Sequence, residues 1–265
     1  MMAAMKPEHL LAAVFAVGAG MTGARPGLAQ ANAHAAKVQK PVVTVPFVGC
    51  ASDGQTGPLK APAGKSKVVP ISAAAAQRLA YYKAEYTVGV LAPRGWNCFS
   101  TYGSSGANLF VSPDPIDSKN LFSGDWKGFM GPAIQISWSS GGTSGRFEVA
   151  RVIARVFPAY KKFVADVIAE GIEPASDFPF GPYPNDKLTC RGKNIVEFET
   201  PPNSEGIGTE SMLQPNASPI DGVAILSGVD TDLTQLSARL SESDRDLIPV
   251  IIRRVEIQEG APAGR

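Results

Sequence analysis

Histidine is almost missing from this chain. It occurs twice, at His9 and His34, and not at all in the rest of the sequence. That absence excludes Ser-His-Asp and Cys-His catalytic sites and removes the commonest ligand of zinc, copper and non-haem iron. A serine–lysine site fails as well, because Ser-x-x-Lys does not occur. Gly103-Ser104-Ser105-Gly106 approaches a nucleophile elbow, but Ala107 stands where Gly-x-Ser-x-Gly needs its last glycine. Beyond residue 31 neither Gly-x-Gly-x-x-Gly nor Gly-x-x-x-x-Gly-Lys-Ser/Thr is present, so the chain has no phosphate-cradling loop there. Excess charge is lacking too, with 25 Lys and Arg against 24 Asp and Glu. No basic cluster stands out, which argues against a nucleic-acid partner. No catalytic residue, cofactor or metal is assigned on these grounds.

The start of the chain is more informative. MMAAMKPEH is a short polar start with one lysine, LLAAVFAVGAG is an apolar run, and MTGARPGLAQA ends at Ala29-Gln30-Ala31. This three-part order is that of a secretory signal peptide. The run is too short for a membrane span, which needs about 18 apolar residues. No cysteine follows it and no twin arginine precedes it. Residues 1–31 hold Lys6, Arg25 and Glu8, so removing them leaves 23 basic and 23 acidic residues. The expected product is a neutral, soluble, periplasmic or secreted protein with no transmembrane segment after signal cleavage.

An oxidising compartment bears on the three cysteines, Cys50, Cys98 and Cys190. Cys50 ends VPFVGC and Cys98 follows the GW bend of APRGWNC, and each comes after an apolar stretch. A Cys50–Cys98 disulfide is therefore expected, leaving Cys190 as a buried free thiol or an intermolecular link. With no histidine to activate it, Cys98 reads as structural and not as a nucleophile.

Along the body, VVTVPFV reads as a strand and ASDGQTGPLKAPAGKSKVVP as a surface loop dense in glycine and proline. Ser72 is placed to cap a helix running through AAAAQRLAYYKAE, with Leu79, Tyr82 and Tyr86 on one side. TVGVLAP, NLFVSP and GPAIQISWSS read as strands. In the last, Ile134, Ile136 and Trp138 alternate with Gln135 and Ser137, so one face is buried and the other is wet or under a helix. RFEVARVIARVFPAYKKFVADVIAEG reads as two helices broken at Pro158 and stopped at Gly171, with Ser144 as cap. Its apolar stripe is Phe147, Ala150, Ile153, Ala154 and Phe157, and Arg151 and Arg155 are expected on a solvated face.

NIVEFETPP, DGVAILSG and LTQLSARL return to strands, and SESDRDLIPVIIRRVEIQ closes as a helix that tolerates Pro249 in its first turn. Strands grouped apart from helices argue for an α+β fold, a largely antiparallel sheet flanked by helices in a single domain. The expected organisation is a signal peptide at 1–31, an extended arm and loop at 32–70, the α+β domain at 71–258 and a disordered tail at 259–265.

At Ala92-Pro93-Arg94-Gly95-Trp96, and again at DLTQLSARL with the helix after it, the chain resembles the PsbP-like sandwich proteins. That resemblance spans about residues 70–258 and implies an antiparallel sheet between helices, with a role in binding or assembly. As a whole the chain resembles a family of exported bacterial proteins that carry phrases similar to VPFVGC-x-SDGQ and GVLAPRGW. No functional residue follows from that likeness.

Two functional classes remain. The first is a non-catalytic exported or envelope-associated protein that binds a protein or small-molecule partner. IEPASDFPFGPYPNDK, where four prolines interleave with Phe178, Phe180 and Tyr183, is its candidate contact loop, with Trp96 across a cleft from it. The alternative is a carboxylate-dependent, glycosidase-like hydrolase, drawing on Glu170, Glu173 and Asp177 or on Asp114 and Asp117. Asp114 with Asp117, and Asp230 with Asp232, offer oxygen ligands to calcium but lack the twelve-residue loop.

Overall fold

The computed structural model describes residues 42–260. The signal-peptide reading, the first part of the expected arm and the last five residues of the tail lie outside them. In chain order the elements are β1 (Val43–Gly49), β2 (Ala51–Gly54), β3 (Ser66–Val69), α1 (Ala73–Arg78), β4 (Leu79–Lys83), β5 (Val90–Pro93), β6 (Asn97–Gly103) and β7 (Gly106–Ser112). They continue with α2 (Ser118–Leu121), β8 (Ala133–Ser139), α3 (Arg146–Val156), α4 (Lys161–Ala169), β9 (Lys187–Cys190), β10 (Ile195–Thr200), β11 (Ile220–Ser227), β12 (Asp232–Arg239) and α5 (Ile248–Glu259).

The strands form a four-stranded sheet, ordered β3-β1-β4-β5, and an eight-stranded sheet, ordered β2-β6-β7-β8-β12-β11-β10-β9. Every ladder is antiparallel except β1 with β4 and β2 with β6. This is the expected α+β class. The period-two pattern explains how the large sheet serves two cores. Leu109, Val111, Ile134, Ile136, Val223, Ile225, Leu236 and Ala238 join a cluster with the small sheet, α1 and α5. On the other face, Val196, Phe198, Ala224, Leu226 and Leu233 pack under α3 and α4.

Cys50 and Cys98 are joined in the expected disulfide, 48 residues apart in sequence. It ties the β1–β2 junction to the start of β6. Cys190 is exposed on β9, the edge strand of the large sheet, so the buried-thiol alternative is not what the fold adopts.

Two local readings are corrected. The expected helix over 73–85 stops at Arg78, and Leu79–Lys83 is a strand between β1 and β5. Leu79, Ala80, Tyr81 and Tyr82 are all buried. A run buried on both sides has no strand alternation to display, and apolar spacing alone does not separate it from a helix. The 51–70 stretch, expected as surface loop, supplies β2 and β3. Their partners lie elsewhere in the chain: β2 runs parallel to β6 from Ala51↔Phe99 to Gly54↔Tyr102.

Pro93-Arg94-Gly95-Trp96 is a structural turn. Gly95 has φ +81°, which suits glycine. Arg94 Nε donates to the Leu79 carbonyl at 3.1 Å, and Trp96 N donates to the Tyr82 hydroxyl at 3.1 Å. That hydroxyl donates in turn to the Pro93 carbonyl at 2.7 Å.

The helix pair breaks where expected, at the 3-10 turn Pro158–Tyr160, and Gly171 ends it with φ +67°. The N-cap of α3 is Gly145 with no side-chain bond, so Ser144 does not cap it. Pro249 sits in the first turn of α5.

Asp221 lies at the start of β11, and one of its carboxylate oxygens is buried without a partner. Burial lifts its carboxyl to about 6. At low pH the group is protonated in both the folded and unfolded chains and has no effect on stability. As pH rises from about 4 toward 6 the unfolded chain releases its proton first, so stability falls and then levels off. Asp221→Asn is therefore expected to raise stability by about 1–2 kcal/mol above neutrality, allowing for solvent screening, and by nothing near pH 3. Urea denaturation at the two pH values reads the difference.

Candidate ligand-binding cleft

The most unusual part of the large sheet is the centre of its α3-facing side. β7, β8 and β12 are neighbours there. Their registers set Asn108 against Ser137, Ser137 against Gln235, and Gln135 against Ser237. A sheet face beneath a helix is normally apolar, as this one is at Ala224, Leu226 and Leu233. Across these three strands it is instead a patch of amides and hydroxyls.

The patch is held by its own bonds. Gln135 Nε2 donates to Ser137 Oγ at 2.9 Å and to Asn108 Oδ1 at 3.3 Å, and Ser137 Oγ donates to Asn108 Oδ1 at 2.7 Å. Gln135 Oε1 accepts from Met212 N at 2.7 Å, and Gln235 Nε2 donates to the Ile207 carbonyl at 3.3 Å. Ser237 is 1% exposed and its Oγ has no partner. A buried hydroxyl without a bond is unfavourable by about 1–3 kcal/mol.

Above the floor is a cleft of about 370 Å³, walled by the first turns of α3, by Glu173 and by the Glu210–Ser211 turn. That volume is at the low end of small-molecule sites, about 300–1,000 Å³. Arg151 of α3 bridges Glu148 at 3.3 Å and Glu173 at 2.6 Å. Arg155, one turn on, lies 3.9 Å from Glu210 and stacks over the Tyr183 ring at 4.0 Å. Neither arginine lies on a free solvated face, which corrects the sequence reading. Arg151 lines the cleft, and Arg155 stands behind Glu210.

Glu210 is the carboxylate the sequence did not single out. It ends the 3-10 turn Ile207–Glu210. Its Oε1 accepts from the Tyr183 hydroxyl at 2.8 Å, while Oε2 is buried without a partner. Burial lifts the Glu210 carboxyl above its ordinary value, with repulsion from Glu148 and Asp186 opposing the pull of Tyr183 and Arg155. The Tyr183 hydroxyl is pushed up to about 12, first by burial and then by its bond to Glu210.

The residues expected to bind a ligand do not converge. Trp96 packs on the core shared with the small sheet, while Phe178 and Tyr183 belong to the core under α3 and α4. These cores use opposite faces of the large sheet, so the loop of residues 174–186 does not meet Trp96 across a cleft. Phe178 is 1% exposed and Phe180 is 60% exposed. Tyr183 reaches the cleft indirectly, by holding Glu210.

Of the expected carboxylates only Glu173 lines the cleft. Glu170 is bound by Arg146 at 2.6 Å, Asp117 caps α2, and Asp114 and Asp177 are exposed. Asp232 accepts from Gly141 N at 3.0 Å. Among the described residues no group of three His, Cys, Asp or Glu is placed to hold a metal ion. No helix among them is long and apolar enough to cross a membrane.

One local signal for this site was present in the sequence. In β8 Gln135 and Ser137 alternate with Ile134, Ile136 and Trp138, and in β12 Gln235 and Ser237 alternate with Leu236 and Ala238. Glu210 carried no such signal, because it lies in an irregular segment and meets Tyr183 only through the fold. Comparison with family models, curated proteins and solved structures returned no match.

Proposed function

We propose that the protein is an exported, non-catalytic binding protein whose cleft takes a small hydroxyl-rich ligand. The observation that carries this reading is the polar floor of Asn108, Gln135, Ser137, Gln235 and Ser237 in the middle of a helix-covered sheet face. Amides offer a donor and an acceptor at fixed separation, which matches neighbouring hydroxyls on a ligand. Their mutual bonds orient them before binding, so little ordering is left for the ligand to impose. The Cys50–Cys98 disulfide is consistent with an oxidising compartment and supports a periplasmic or secreted location.

Thermal denaturation in the presence of monosaccharides, disaccharides and polyols tests the proposal. A ligand at about 100 times its Kd stabilises by about 2.7 kcal/mol, or about 5–10 °C in a domain of this size. The Ser237→Ala and Gln235→Leu variants are expected to stay folded and to lose that shift. No stabilisation by any of these compounds, or an unchanged shift in both variants, would overturn the reading.

A hydrolase is the second reading, favoured by Glu210, whose carboxyl is lifted by burial beside Glu148 and Glu173. In it Glu210 is the acid and an arginine-held carboxylate is the base or nucleophile. Release of aryl alcohol from aryl glycosides, abolished by Glu210→Gln, would support this reading over simple binding.

A further inference from the structure

The charge of the cleft narrows its ligand. Glu148 and Glu173 share one cation, Arg151. Glu210 has only Arg155, at 3.9 Å, and that guanidinium also stacks on Tyr183 and donates to the Gly181 carbonyl at 3.3 Å. Asp186, half-buried, adds a further negative charge that Glu210 feels. Three carboxylates and one arginine thus line the cleft, with Arg155 and Asp186 behind Glu210, and an anionic ligand is disfavoured.

The unfilled groups point the same way. Glu210 Oε2 is a buried acceptor without a donor, and Ser237 Oγ, 1% exposed, is unpartnered on the floor. The two residues, Glu210 and Ser237, line one wall and the floor of the same cleft. A neutral hydroxyl would meet the hydrogen-bonding need of Oε2 but would leave the charge unbalanced.

Building on the function proposed above, we propose that the ligand is an amino sugar, with its ammonium against Glu210 and its ring hydroxyls on the amide and serine floor. The ammonium supplies both the missing donor and the missing positive charge. Ser237 and Gln235 bind the ring whether or not it carries an amine.

Isothermal titration of the intact protein with glucosamine, glucose, N-acetylglucosamine and glucuronate separates the contributions, at about pH 6.5, where the amine is charged. Glucosamine is expected to bind at least about tenfold more tightly than glucose or N-acetylglucosamine, and glucuronate not to bind. Glu210→Gln keeps an acceptor for Tyr183, and it should bring glucosamine to within about twofold of glucose. Ser237→Ala should weaken both.

A second readout is proton release. The groups facing Glu210 are Tyr183, Arg155, Glu148 and Asp186. An ammonium set beside its carboxylate should favour the ionised form and so release the proton that burial helps it to retain, an effect absent from Glu210→Gln. Equal affinity for glucose and glucosamine would overturn the ammonium site while leaving the hydroxyl-rich ligand standing. Tighter binding of glucuronate would reverse the charge argument. Silence toward all four sugars would remove both.

Discussion

Replacing Arg239 by leucine is expected to destabilise the protein by about 3–5 kcal/mol, more than most single substitutions. Arg239 is 1% exposed at the end of β12, and all three of its hydrogen bonds go to backbone carbonyls. Nε donates to Gly131 at 3.0 Å, one terminal nitrogen to Gln214 at 2.6 Å and the other to Phe129 at 2.7 Å. Burial pulls the guanidinium down from its ordinary value, but arginine stays charged in proteins. The planar fork therefore acts as a pin between two irregular segments.

Leucine removes the buried charge but strands the Gly131 and Gln214 carbonyls, each worth about 1–3 kcal/mol. Phe129 loses less, because its carbonyl still accepts from Gln214 N at 3.0 Å. Arg239→Lys is expected to recover only part of the loss, since an ammonium cannot span the three acceptors. Urea denaturation with an unchanged m-value checks the size of the effect. The effect should reach the cleft as well, because Met212, next to this segment, donates to Gln135 on the floor. A loss under about 1 kcal/mol for Arg239→Leu would show that the loops hold themselves.

Reduction of the Cys50–Cys98 disulfide, or its replacement by two serines, is expected to destabilise by about 4 kcal/mol. The chain-entropy relation for a loop of 48 residues has that size at room temperature. In a domain of this length the melting temperature should fall by about 8–16 °C. The closed loop contains β2, β3, α1, β4 and β5, so the unfolded chain gains freedom across most of the small sheet once the bond is cut. β2 and β6 pair parallel just beyond the bridge, and such a pair has no tight turn to hold its register. Calorimetry with and without reductant measures the shift. Alkylation by mass spectrometry should find Cys190 reactive throughout and Cys50 and Cys98 reactive only after reduction.

The parts that were legible in the sequence are those whose cause is local. The Ile134–Ser137 alternation gives both the strand and its two faces, because successive side chains must point opposite ways. The break at Pro158 and the stop at Gly171 follow from one missing donor and one left-handed residue. LAYYK failed for the complementary reason. Its alanine-rich approach favours helix, and only pairing with β1 and β5 makes it a strand.

Histidine chemistry was closed to this body by composition, and alternation in β8 and β12 decided that a polar row would lie beside an apolar one. Which row the α3–α4 pair would cover was not decided there. Nor was the meeting of Asn108, Gln135, Gln235 and Glu210, which come from four distant stretches of chain. Periodicity fixes the direction of a side chain relative to its own strand. Convergence depends on registers between strands and on where irregular turns end, and those are set by the packing of the whole molecule.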